Sequence, residues 1–245
     1  MSRKIFHYLR RIESGVTLNV LIHLPMSLGL GFASFFFHSE GLPLFKIMFT
    51  WAIGPLTAVF ISLFFDTWRL RRQFTLGVLA YVGMVVSLLL YGPYSYILYG
   101  IFSGCTLWFY WVSVNYVFFG KSEKQQHAKD FNIYFLIGPL LGIILPPVGA
   151  LLIDSFGFFV LFSLTGLLTL LPLFYLSRDE FDQTLYIPFK EANKKISGLR
   201  LYSALNDGLH FFQGHFLAVY ILLFLSTEYE LSLIHISEPT RPVMI

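Results

Sequence analysis

The sequence predicts an all-α fold, a polytopic bundle of transmembrane helices, on three observations. Hydrophobic residues make up 56% of the chain and charged residues only 13%, and mean hydropathy is +0.68. About a quarter of the residues of a soluble domain are charged, so this balance excludes one. The apolar residues also fall into runs long enough to cross ~30 Å of hydrocarbon. Finally, Lys and Arg gather in alternate linkers between these runs, the pattern that fixes the orientation of a membrane protein.

Residues 1–13 place Arg3, Lys4, Arg10 and Arg11 among Ile5, Phe6, Tyr8, Leu9 and Ile12. The stretch reads as the basic flank of the first span, and the same pattern also suits a short helix lying on an anionic membrane face. The run that follows is longer than a signal-peptide core and further spans come after it, so a retained first helix is expected.

Seven spans are predicted, at about 16–37, 44–65, 74–92, 95–118, 131–153, 157–176 and 203–226. The linkers after spans one, three and five read HSEG, GPYS and DSFG, short and rich in turn residues. Those after spans two, four and six carry Arg69, Arg71 and Arg72, then Lys121, Lys124 and Lys129, then the basic residues from Arg178 to Arg200. Of the seventeen Lys and Arg residues, only Lys46 and Arg241 lie outside the N-terminus and these linkers. The positive-inside rule therefore places the N-terminus and the even-numbered linkers in the cytoplasm, in a cell (inner) membrane.

The segment from Asp130 to Phe158 stands out. It is apolar from Phe131 to Ile153 yet interrupted by Gly138-Pro139, Gly142, Pro146-Pro147 and Gly149. In lipid such interruptions survive where neighbouring helices satisfy the freed carbonyls and small residues let another backbone approach, so a packed, central helix is expected. The lone cysteine, Cys105, lies inside an apolar run and offers neither a disulfide framework nor a metal site.

Ser177–Leu199 is the one long polar connection. It divides residues 14–176, a six-helix unit, from a second unit beginning at residue 200, and reads as a plain inter-domain linker (177–199) or as a surface for lipid or partners. Leu231–Arg241, LSLIHISEPTR, resembles translated read-through of a sequencing-library adapter. Residues 231–245 are therefore set apart as a non-native tail, leaving 200–230 as the start of the second unit. The natural chain is expected to continue past Glu230.

Six spans, a cytoplasmic linker and a seventh span resemble the first half of a major facilitator superfamily transporter, in which each six-helix half holds two inverted three-helix repeats. Gly138-Pro139-Leu140-Leu141-Gly142 is similar to the core of that family's helix-five signature, with Tyr134 where an earlier glycine is common and Ile143 in place of a second glycine. Asp66-Thr67-Trp68-Arg69-Leu70-Arg71-Arg72 resembles the family's loop between helices two and three, keeping the carboxylate and the basic cluster. The resemblance implies conformational or gating roles for Asp66, Arg69, Arg71, Gly138, Pro139 and Gly142. For the arginines, topology alone is the competing account, and for Gly138 and Gly142 a GxxxG packing face. An internal echo accompanies this: Gly54-Pro55 in span two and Gly138-Pro139 in span five each precede a helix-end aspartate, Asp66 and Asp154.

Inside spans one to six no acidic residue lies away from a helix end. Intramembrane ionisable and polar groups are functional candidates by default, which leaves His23 and Asn115, with Asp207, His210 and Gln213 on one arc of span seven. The family's cavity is bordered by helices one, four and seven, so these five residues are the expected substrate pathway. Each has a structural alternative, a hydrogen bond to a neighbouring helix, or for Asp207 a favourable place at a helix start. Lys46 reads as a helix anchor that snorkels outward.

The expected function is transport of a small solute by alternating access as a secondary carrier, with a coupling ion as a further partner, membrane lipids around it and the second half of the cavity missing. No nucleic acid and no cofactor are implied. A seven-helix sensor or receptor without transport activity is the alternative; the cytoplasmic N-terminus and the absence of a lysine in span seven weigh against it. No HExxH, GxSxG or nucleophile–base pair points to an enzyme.

Overall fold

A computed structural model describes residues 3–64, 67–121, 127–177 and 181–186. Helix α1, Arg3–Leu28, runs unbroken from the basic N-terminal stretch into the first span and passes through a 3-10 turn, Leu30–Phe32, into α2, Ala33–Ser39. A turn at Gly41, whose φ of +80° only glycine adopts readily, leads into α3, Leu44–Phe64. A three-residue strand β1, Thr67–Arg69, precedes α4, Leu70–Leu89. The Tyr91–Tyr94 turn opens a long helix made of α5, Ser95–Cys105, a π-helical turn, Thr106–Trp111, and α6, Val112–Lys121. Helix α7, His127–Thr169, leads into a 3-10 segment, Leu171–Ser177, and strand β2, Thr184–Tyr186.

At 43 residues α7 would measure roughly 65 Å if straight, twice the ~30 Å of a hydrocarbon core. It is not straight. Gly157, at φ +77° and ψ 173°, is non-helical and divides it into two arms. The first arm climbs beside α1: the Asn19 side chain meets Tyr134, the His23 ring meets Gly138, and Leu28 abuts Gly149. The second arm comes back down, with Phe158 against Phe35 and Phe36, then Phe162 against Phe36, and lastly Thr165 against Gly29. Chain direction therefore reverses at Gly157, in the DSFG turn. The glycines and prolines at 138–149, expected to interrupt the helix, leave its backbone helical.

The core lies elsewhere than expected. The spans built on α1 and α4 are the most buried, while α3 and α7 each bury only about a fifth of their apolar window, so the Asp130–Phe158 segment is peripheral rather than central. One face of its first arm packs on α1; Leu136, Leu140, Ile144 and Leu151 remain exposed on the other. Close helix packing joins α7 to α1, where a side chain at Gly149 would collide with the Leu28 carbonyl, and also joins α3 to α5. A side chain at Gly104 would collide with the Gly54 carbonyl and with Thr57, and one at Gly100 would stand 2.7 Å from the Thr50 carbonyl. Small residues at this four-residue spacing let two backbones touch.

The polar linker is also more structured than a plain connector. Strand β2 pairs antiparallel with β1, Thr67 opposite Tyr186 and Arg69 opposite Thr184, and the Leu70 amide donates to the Gln183 carbonyl at 2.9 Å. Phe181 and Leu185 are buried, Phe181 packing on Phe74 at 4.8 Å between ring centroids. Arg71 and Asp182 form an ion pair at 2.7 Å, but both side chains are about half exposed, 45% and 61%. Exposed pairs contribute about 0–1 kcal/mol, whereas burial of an aromatic or a leucine contributes roughly 1.5–3 kcal/mol. The apolar anchors therefore hold this strap more strongly than the charges do.

Two substitutions test the packing assignment by thermal unfolding in detergent micelles. Gly104→Val is expected to destabilise by about 1–3 kcal/mol through overpacking against α3. Gly142→Ala, which meets open space, is expected to be neutral or stabilising by up to about 1 kcal/mol through helix propensity. The reverse ranking would place the close contact at Gly142 rather than at Gly104.

Candidate functional site

Polar side chains converge where α1, the π-turn with α6, and the first arm of α7 meet. Asn19, nearly fully buried, donates from Nδ2 to the Tyr134 carbonyl at 2.7 Å. The Tyr134 hydroxyl in turn donates to Asn115 Oδ1 at 2.9 Å, and its ring stacks on Phe118 at 4.3 Å. One turn along α1 from Asn19, His23 meets Trp111 edge-to-face at 5.3 Å. A methyl group built on Gly138 would stand 2.9 Å from His23 Cε1, so the glycine makes the seat in which the imidazole lies. His23 and Gly138, expected in separate roles, thus form one contact.

The π-turn matters to this arrangement. Its wider coil leaves a carbonyl without the usual i+4 donor, and such turns recur at functional sites. Here the Gln73 side chain of α4 donates from Nε2 to the Trp108 carbonyl at 3.3 Å. Two residues on, the Tyr110 hydroxyl donates to the Leu18 carbonyl at 2.9 Å and fastens the turn to α1 beside Asn19. Among the described residues, Asn19 Oδ1, Gln73 Oε1 and Trp108 Nε1 are buried with no hydrogen-bond partner. An unsatisfied buried acceptor or donor costs roughly 1–3 kcal/mol, so these three atoms are standing demand for a ligand atom or water.

The cluster lies one to three turns inside the bundle, Asn19 roughly 6 Å and His23 roughly 12 Å along the helix from Gly15, between the N-terminal end and mid-depth. The remaining sequence candidates are dispersed. Pro139 sits partly buried beside Gly138, while Gly142 has nothing within 4 Å of the place a side chain would occupy. The Gly138–Gly142 pair is therefore not a shared packing face among the described residues. Arg69 is exposed on β1, and Arg71 is held by Asp182. Asp66, Asp207, His210 and Gln213 lie outside the described residues. Lys46 rests 5.6 Å from the centre of the Tyr96 ring, a cation–π contact between spans two and four that suits the anchoring role.

Sequence reasoning missed Asn19 and Gln73, and saw Tyr134 only as a departure from a glycine pattern. The signal was available for Asn19, a polar residue four positions before His23 and so on the same helix face. For Gln73 it was not, because nothing in TLWFYW announces a π-turn.

Five helical stretches are long and apolar enough to cross a membrane, Gly15–Ser39, Leu44–Phe64, Leu70–Leu89, Ser95–Gly120 and Asp130–Phe174, and they define an integral membrane protein built as an α-helical bundle. No family model matches the chain, and no curated protein matches it.

The His23–Gly138 contact predicts a coupled pair. Gly138→Ala is expected to cost about 1 kcal/mol or more, as the imidazole is displaced. The same change made on a His23→Ala background is expected to be neutral or stabilising. A double-mutant cycle read by thermal unfolding measures the coupling; equal costs in both backgrounds would mean that the ring does not rest on Gly138.

Proposed function

We propose that this chain is a six-helix unit of a secondary carrier, with the beginning of a second unit, that moves a small solute by alternating access in the manner of the major facilitator superfamily. The observation that carries the reading is the backbone at Ile143. Its carbonyl would accept from residue 146 in a 3-10 turn or residue 147 in an α-turn, and both are prolines with no N–H to give. Ile143 lies roughly 20 Å along the helix from Asp130, near the middle of the first arm, and on its exposed face. A carbonyl bare to lipid at that depth costs several kcal/mol, and irregular backbone polarity is tolerated in membranes where it lines an aqueous cavity or meets protein.

Other features agree. Taking the two arms of α7 on either side of Gly157 as separate crossings turns the five apolar stretches into six, and α3 and α7 offer broad apolar faces to lipid and to an opposing unit. The polar cluster draws on spans one, four and five, leaving His23 and Asn115 as pathway residues, with Asn19 and Tyr134 added. Positive linkers place the N-terminus in the cytoplasm, in the cell membrane. The solute contacts an uncharged set of described side chains, with a coupling ion and the second unit's residues as further partners.

Long-read sequencing of the source DNA across the Glu230 codon, without adapter-based libraries, tests the reading. The carrier predicts an open frame running on through about five more apolar spans, the complement of a two-unit carrier. A native stop codon near Glu230 would overturn it and favour a seven-helix sensor.

A further inference from the structure

The polar linker closes the end of the bundle that carries the N-terminus, and what it closes leads to the polar cluster. Phe181 packs on Phe74 at 4.8 Å, Phe74 on Tyr110 at 5.1 Å, Tyr110 on Trp111 at 6.0 Å and Trp111 on His23 at 5.3 Å. Phe74 and Tyr110 are fully buried, and Tyr110 is also bonded to Leu18. The rings form a packed column from the strap to the site. We propose that residues 181–186 are a releasable latch: docked on β1, the segment plugs the bundle end with Phe181 and holds the π-turn in the form that presses Trp111 on His23; undocked, it loosens both.

The form of the attachment fits a latch rather than a permanent strand. A two-stranded ribbon of three residues each is marginal without packing, and here the packing rests on Phe181 and Leu185. Its ion pair is solvent-exposed and therefore sensitive to salt. The strand it clasps, β1, lies between α3 and α4 in the chain. The proposal rests on the geometry of the bundle, and it gains its purpose from the carrier reading, since a linker that leaves β1 as two units move apart couples their motion to the site. Coupling through packed side chains needs an element with two arrangements that both sites bias; the strap is that element.

The test uses the full chain in liposomes with Cys105→Ala, Thr67→Cys and Tyr186→Cys, so that oxidation ties β2 to β1 at an exposed cross-strand pair. Amide hydrogen exchange read by mass spectrometry reports opening of the folded state. The latch predicts that residues 70–78 and 106–111 both exchange at least tenfold faster in the reduced protein than in the oxidised one. Asp182→Arg without the cysteines is expected to speed both segments, and Arg71→Asp with Asp182→Arg to restore slow exchange. Equal rates in oxidised and reduced protein would make β2 a fixed part of the fold and overturn the proposal. Faster exchange at 70–78 with none at 106–111 would overturn the link to the site. Neither result depends on a solute, so failure here is distinct from failure of the carrier reading.

Discussion

The structure depends on one constraint: inside hydrocarbon, the backbone has no water to bond, so each carbonyl must find a donor within the protein. Regular helices meet it, and the described chain is nearly all helix within its spans. Each proline inside a helix removes one donor, Pro25, Pro55 and Pro139 among them, and two places strain the ladder further. At Thr106–Trp111 the π-turn displaces the ladder, and Gln73 reaches across from α4 to the Trp108 carbonyl. At Ile143 two successive prolines remove the donors and the surrounding face is open. One irregularity is healed within the bundle, which positions Trp111 and Tyr110; the other faces outward, and that difference is why the first builds the site and the second marks its surroundings.

The same constraint explains what was legible in the sequence. Apolar length and turn residues mark spans well, because a helix must be long enough to cross and must end where the chain can turn; the ends at Ser39, Leu44, Phe64, Ser95 and Gly120 fall within a few residues of the expected positions. The turn before span six was legible from DSFG, and its agent is Gly157. Packing was less so. Gly138 and Gly142 look like a packing pair, yet of the two only Gly138 meets a neighbour among the described residues, whereas the same spacing in GIFSG, Gly100 to Gly104, makes a close contact with α3. Spacing says which residues share a face, and not which face meets a helix; that is decided by the whole bundle. The expectation of a packed α7 held on the face where Gly138 and Gly149 meet α1, and that of a central one did not, since glycine and proline content says that a backbone can approach but not how far around the helix burial extends.

The strap was hidden for a different cause. TLY is too short to show a strand's alternation, and its partner TWR adjoins the arginines expected to orient the chain. Once paired, Arg71 acquires a specific contact with Asp182 in addition to the topological role expected of it. The candidate site was legible in two of its members, His23 and Asn115, because polar residues in apolar runs are conspicuous. Its remaining members were not, since Tyr134 and Trp111 are unremarkable in a chain with 19% aromatic residues, and only the fold shows that they share a hydrogen-bonded and stacked cluster.

The reversal at Gly157 underlies this account, since it sets the direction of each arm of α7 and the side on which the strap lies. The most direct measurement is the sidedness of two single cysteines, Phe156→Cys at the turn and Asp182→Cys on the strap, each exposed and each in a Cys105→Ala background. Labelled by a membrane-impermeant maleimide in sealed, uniformly oriented vesicles, they are expected to react from opposite faces. Reaction of both from the same face would contradict the two-arm crossing, and with it the proposed count of six crossings.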